Sequence, residues 1–151
     1  MMKITAMLIF VLAISGCAAK KPADSYKAFI ESEIKDLNSV PNVVVDGHFK
    51  SDVDKPDLSG PPPVGTCVID LHRERRLEGV AVNDAMQLEM KHELQGGKWV
   101  MTAGSGKYVG VDPGKKASAE EKRVAAARAQ QIVGTTFNFK SLDEFKKNQL
   151  H

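Results

Sequence analysis

A chain of 151 residues with 42% apolar and 26% charged side chains fits one globular domain and excludes a fibrous or low-complexity polymer. Its 21 basic and 19 acidic residues leave a formal charge of only +2. Without a basic surplus to displace counterions, no nucleic-acid partner is expected.

The chain starts with the positive Met1-Met2-Lys3 and continues into an apolar run from Ile4 to Ile14. Eleven residues suit the core of a secretory leader, whereas a membrane-spanning helix needs about 20. The run has no polar face and meets Lys20-Lys21-Pro22 soon after its end, which argues against a buried core helix. Its last residues are Ile14-Ser15-Gly16-Cys17. This tetrad resembles the lipobox of bacterial lipoprotein precursors: a branched aliphatic residue, two small residues and then cysteine.

The resemblance implies that the Cys17 thiolate accepts a diacylglycerol, that cleavage follows Gly16, and that the new N-terminus is acylated, with palmitate among the chains. One acyl chain holds a protein marginally and several hold it stably. Ala18 stands where aspartate would signal inner-membrane retention. The implied location is therefore the cell envelope, on the inner leaflet of the outer membrane, facing the periplasm. Beyond the leader, which holds only Lys3, 20 basic and 19 acidic residues remain. The expected organisation is a signal peptide over 1–16, a lipidated N-terminus and tether over 17–24, and one domain over 25–151. Seven tether residues, 18–24, span at most about 25 Å.

From Ser25 to Leu37 the residues Tyr26, Phe29, Ile30, Ile34 and Leu37 recur at helical spacing, and Pro41 follows closely enough to end the helix. Val43-Val44-Val45 with Gly47-His48-Phe49 reads as a first strand. Lys50–Gly65 is expected to be a loop whose Pro61-Pro62-Pro63 favours an extended left-handed conformation. Cys67, Ile69 and Leu71 alternate with Val68, Asp70 and His72 as a half-buried strand. Its hairpin partner is expected at Leu77–Val82, with Arg73-Glu74-Arg75-Arg76 as a solvated turn or, alternatively, a headgroup or partner contact.

Met86, Leu88, Met90, His92 and Leu94 alternate with Gln87, Glu89, Lys91 and Glu93, a period-two pattern that favours strand over helix. Gln95-Gly96-Gly97-Lys98 is a hairpin turn returning through Trp99–Ala103, with Lys107–Val111 as an extension. Ser118-x-x-Glu121 is a capping box before an alanine-rich helix to about Val133, which Gly134 ends. Thr135–Phe139 is a short strand, and Ser141-x-x-Glu144 caps a final turn or two of helix. The expected fold class is α+β: an antiparallel sheet of four to six strands packed against an N-terminal helix and a C-terminal helix.

Cys67 is the second of two cysteines. With Cys17 alkylated it has no partner for a disulfide, and its place in an apolar alternation reads as a core thiol. A nucleophile activated by His48, His72 or His92 is the alternative. Those histidines lack metal-ligand spacing and read as solvent or edge residues. Asp52, Asp54 and Asp57 lack the glycine and distal glutamate of a calcium loop. Gly104-Ser105-Gly106-Lys107 lacks the spacing of a phosphate loop and reads as a flexible connection.

A Tyr-led amphipathic helix followed by Thr66-Cys67 at the head of an alternating strand and a hairpin, over residues 26–82, resembles the C-terminal domains of the TolA and TonB energy-transducing proteins. That resemblance implies an envelope adaptor. Beyond residue 82 the added strand pair departs from it. The reading of the whole is a non-enzymatic binding or assembly factor, lipid-anchored at Cys17, with an envelope protein as partner. No catalytic, cofactor or metal site is assigned. The alternatives are an inhibitor or exclusion factor against an incoming hydrolase or phage, with the Pro61–Pro63 loop as probe, and an envelope hydrolase using Cys67 or a histidine cluster.

Overall fold

The computed structural model describes residues 21–46 and 56–151. The leader, Cys17, His48, Asp52, Asp54 and the expected strand extension at 47–49 lie outside them.

Helix α1, Pro22–Asn38, starts with proline in its first turn, where the missing N–H costs nothing. Three residues assigned to the tether, 22–24, therefore belong to the domain. Strands β1 (Val43–Val45), β2 (Val64–Leu77), β3 (Val80–Gln95) and β4 (Lys98–Asp112) follow, then helix α2 (Ala119–Ile132) and strand β5 (Thr136–Phe139). Helix α3, Leu142–Phe145, runs into a π-helical turn, Lys146–Leu150. The strands form one antiparallel sheet in the order β1-β2-β3-β4-β5, with a helix before it and another after. The architecture is α+β with five strands.

Both long hairpins turn through two residues with positive φ, Glu78 (50°) with Gly79 (82°) and Gly96 (56°) with Gly97 (78°). That geometry matches the twist of antiparallel strands. It corrects the expected hairpin. Arg73–Arg76 continue β2 rather than forming its turn, and Leu77–Val82 does not close as a separate partner strand. Val80–Gln95 is instead one 16-residue strand that takes in Met86–Leu94. Strand β2 also starts earlier, at Val64, and Asp57 bridges to Val64 across the proline loop, whose Pro61–Pro62 peptide is cis.

Alternation decides which side each strand buries. Cys67, Ile69 and Leu71 of β2 and Met86, Leu88 and Met90 of β3 lie under α1 and α3, with Tyr26, Ile30, Leu37, Phe139 and Phe145 closing the core. Farther along the same face, Val82 packs with Val124 and Ala125 of α2. All three helices thus cover one face, and Thr66, Val68, Asp70, Gln87, Glu89, Lys91, Ser105 and Lys107 line the other. An antiparallel sheet tolerates water on one side, as its polar alternation requires.

Gly104-Ser105-Gly106 is no flexible connection. It lies inside β4, paired with β5 at Gly104↔Phe139 and Gly106↔Phe137. A Cβ at Gly104 would stand 2.2 Å from the Phe139 ring, and one at Gly106 2.2 Å from Phe137. The glycines let these rings lie flat on the strand. Gly65 does the same for Tyr26, whose ring atom would be 2.3 Å from an added Cβ. The capping box of α2 forms as expected: Glu121 N donates to Ser118 Oγ (3.2 Å) and Ser118 N to Glu121 Oε2 (2.6 Å). Gly134, with φ of 90°, follows its end.

Candidate functional site

Two groups of polar side chains are built into the covered face. The first is internal. His92 of β3 is fully buried, opposite Gly65. Its Nδ1 lies 3.0 Å from Tyr26 Oη, and its Nε2 lies 3.2 Å from Glu33 Oε2. The second contact is close but poorly aligned, leaving Nε2 and Oε2 without a directed hydrogen bond. A ring protonated on Nε2 lets the Tyr26 hydroxyl donate to Nδ1 while Nε2–H faces Glu33. Burial, then the neighbouring Cys67 and Glu33, push the Tyr26 phenol well above its ordinary pKa. Phe29 meets the His92 ring edge-on at 5.1 Å, and Trp99 Nε1 donates to Ser25 Oγ at 3.0 Å. With His92 and Tyr26 wholly enclosed, this network clamps α1 to the sheet.

The second group reaches solvent. The inward phase of β2 continues past Leu71 to Arg73 and Arg75, and that of β3 runs back from Met86 to Asp84 and Val82. Asp84 is fully buried and directly opposite Arg73. Its Oδ2 accepts from Arg128 Nη2 at 2.9 Å while Arg128 Nε approaches Oδ1 at 3.3 Å, a two-point fork from α2. Arg75 Nε stands 3.1 Å from the same Oδ2 but off the hydrogen-bonding direction. Arg73 Nη1 donates to the Gln149 carbonyl, and Tyr108 Oη donates to Gln149 Oε1 at 3.2 Å. Desolvation, and then Arg75, lower the Arg73 pKa, with Arg128 adding to the repulsion. Arg128 is raised, chiefly by its hydrogen bonds to Asp84.

Two guanidiniums, of Arg75 and Arg128, therefore share one carboxylate, and Arg73 at the strand position opposite it adds a third to the group. The side chains of Arg75 and Arg128 keep 29% and 19% of their surface exposed, so water and solutes reach them. Arg128 also lines a depression of about 180 Å³ with Leu77, Glu78, Val124, Ala127 and Gln131. Glu78 on that rim is engaged by Arg123 Nη2 at 2.6 Å.

The residues singled out in the sequence are dispersed. Cys67 is a core residue with no exposed surface. His72 is half-buried and His92 fully so. Their opposite phases, His72↔Ala85 and Gly65↔His92, put them on opposite sheet faces, so they share no site. His92 also corrects the expectation of a solvent or edge histidine. Asp57 is an exposed loop acid whose carboxyl accepts from Ser59 N and Oγ, at 2.9 and 2.6 Å, which holds its pKa low. No group of three metal-ligating side chains occurs among the described residues. Arg73 and Arg75 were expected in a solvated turn, but strand pairing directs them inward.

Asp84 and Arg128 were not singled out at all. The signal for Asp84 was an acid in phase with Val82, Met86 and Leu88. For Arg128 it was a cation one turn beyond Val124 on the sparse apolar face of α2. Comparison with protein-family models, curated proteins and solved structures finds no match to this chain.

Proposed function

We propose that this protein is a lipid-anchored binding or assembly factor of the bacterial cell envelope, attached through Cys17 and acting without catalysis through the arginine cluster around Asp84 and the recess that Arg128 lines. The observation that carries this reading is the surplus of inward, solvent-reachable guanidinium groups at one end of the domain. Arginine's planar, weakly hydrated fork suits an interface where a partner supplies a carboxylate or phosphate.

The position of the recess fits the proposed anchor. The first residue of α1, Pro22, lies five residues beyond Cys17, a reach of about 18 Å at most. The Trp99–Ser25 hydrogen bond ties the start of α1 to the Gly96-Gly97 end of the sheet. Asp84 lies eleven residues along β3 from Gln95, about 35 Å of extended strand. On this reading the membrane meets one end of the domain, and the recess faces the periplasm from the other. Buried Cys67 and separated histidines favour binding over hydrolysis.

The test is site-directed crosslinking in intact cells. A photoreactive residue at Gln131, on the rim, should capture a defined envelope component, and one at Glu89, on the uncovered sheet face, should not. Cys17→Ala should abolish acyl labelling and leave unprocessed precursor. Capture from Glu89 alone would refute the recess as the binding end. Mature-length, membrane-bound, unlabelled Cys17→Ala protein would refute the anchor.

A further inference from the structure

We infer that the cluster of Arg73, Arg75 and Arg128, of which Arg128 also lines the recess beside α2, is a binding site for a doubly charged oxyanion of the phosphate class, either a phosphate on an envelope lipid or a free phosphate. This rests on the reading of the recess as the protein's binding end and gives it a ligand chemistry.

Charge comes first. Three guanidiniums against the single buried Asp84 leave two positive charges without a carboxylate. The other acid nearby, Glu78, is held by Arg123. The remaining polar neighbours, the Gln149 carbonyl and Tyr108 hydroxyl, are neutral. One peptide carboxylate would cancel half of that surplus. A phosphate monoester carries a charge of about −1.5 to −2 near neutral pH and three acceptor oxygens.

Donor supply is the second argument. Asp84 takes two N–H groups of Arg128, and the Gln149 carbonyl takes one of Arg73. Each guanidinium has five N–H donors, so all three retain groups beyond these contacts. Arg75 is the least committed, since its Nε lies beside Asp84 without a directed bond. Pre-placement is the third. Arg73 and Arg75 stand two residues apart on one face of a paired strand, and α2 brings Arg128 in from above. A rigid sheet and a capped helix hold the forks apart before any ligand arrives. An anion entering there avoids much of the ordering cost that flexible surface lysines would impose.

The test uses the mature lipidated chain in uncharged detergent micelles, with arginine side-chain N–H resonances observed at constant ionic strength. Inorganic phosphate should shift the Arg73, Arg75 and Arg128 signals saturably, and acetate should not. Arg75→Gln should weaken phosphate binding about tenfold or more. Arg128→Lys, which keeps the charge and loses the fork, should weaken it too, while Lys107→Gln on the uncovered sheet face should leave it unchanged. Chemical shifts of the core residues report that each variant is folded.

The two sources separate in a second arm. The chain is anchored on phosphatidylcholine vesicles and mixed with vesicles containing phosphatidic acid. Tethering that inorganic phosphate competes away identifies a lipid phosphate. Phosphate binding without tethering identifies a free one. Equal, unsaturable shifts with phosphate and acetate would overturn the inference. So would binding of a polyglutamate peptide without binding of phosphate, an outcome that leaves the binding-factor reading standing.

Discussion

Replacing Gly106 by alanine tests the packing on which the sheet depends. The added Cβ would fall 2.2 Å from Phe137 Cζ and 2.9 Å from Leu88 Cδ2, both inside any tolerable contact. Phe137 has little room to retreat, since it stacks on Phe145 at 5.8 Å and meets Tyr108 edge-on at 5.6 Å. Overpacking of this kind costs about 1–3 kcal/mol. Removing a glycine from the unfolded chain returns about 0.4–1 kcal/mol. The net expectation is a loss of up to about 2.6 kcal/mol. Gly110 in the same strand is the control. The nearest atom to its Cβ is Ala85 Cβ at 3.9 Å, so Gly110→Ala should gain the entropic term and lose nothing. Urea unfolding of a chain starting at Ala18 measures both, and an unchanged m-value licenses the comparison. Adding Phe137→Leu to Gly106→Ala should recover part of the loss. Equal midpoints for the two alanine variants would refute the ring-on-glycine arrangement.

Leu88→Asp should unfold the domain by burying an unpaired charge, whereas Glu89→Ala, one residue away on the wet face, should change stability by less than about 0.5 kcal/mol; far-ultraviolet dichroism reads both. Cys67 should resist alkylation until denaturant is added, and Cys67→Ser should cost about 1–3 kcal/mol through a buried hydroxyl; rapid labelling of the native chain would contradict the core placement. Tyr26, whose pKa is raised by burial, should contribute its full stabilisation below its unfolded value near pH 10 and lose it as the pH rises further. Unfolding midpoints followed from pH 8 to 11 should fall more steeply for the native sequence than for Tyr26→Phe, and parallel curves would count against that linkage.

Much of the fold was legible in local pattern. Periodicity located α1 and the inward phase of β3, where Met86, Leu88, Met90 and His92 are all buried. Ser118 and Ser141 marked helix starts, because a capping hydroxyl acts within three residues of itself. The proposed lipid anchor rests on the tetrad Ile14-Ser15-Gly16-Cys17 alone, a short-range sequence signal.

What local pattern could not decide was where a strand stops and what stands across from it. Arg73-Glu74-Arg75-Arg76 has the composition of a turn, yet the turn falls at Glu78-Gly79, because register with a partner strand outweighs local charge. Gly104-Ser105-Gly106 has the composition of a hinge, yet aromatic rings 31 to 35 residues later make it the interior of a strand. The recess depends on both kinds of distance. Asp84 and Arg128 are 44 residues apart, and Arg73 meets Gln149 across 76. Each of these residues looks like ordinary surface charge in its own neighbourhood. Only the closing of the β2–β3 hairpin and the docking of α2 gather three cations round one buried acid, because burial and electrostatic coupling are properties of the assembled layers and not of any segment.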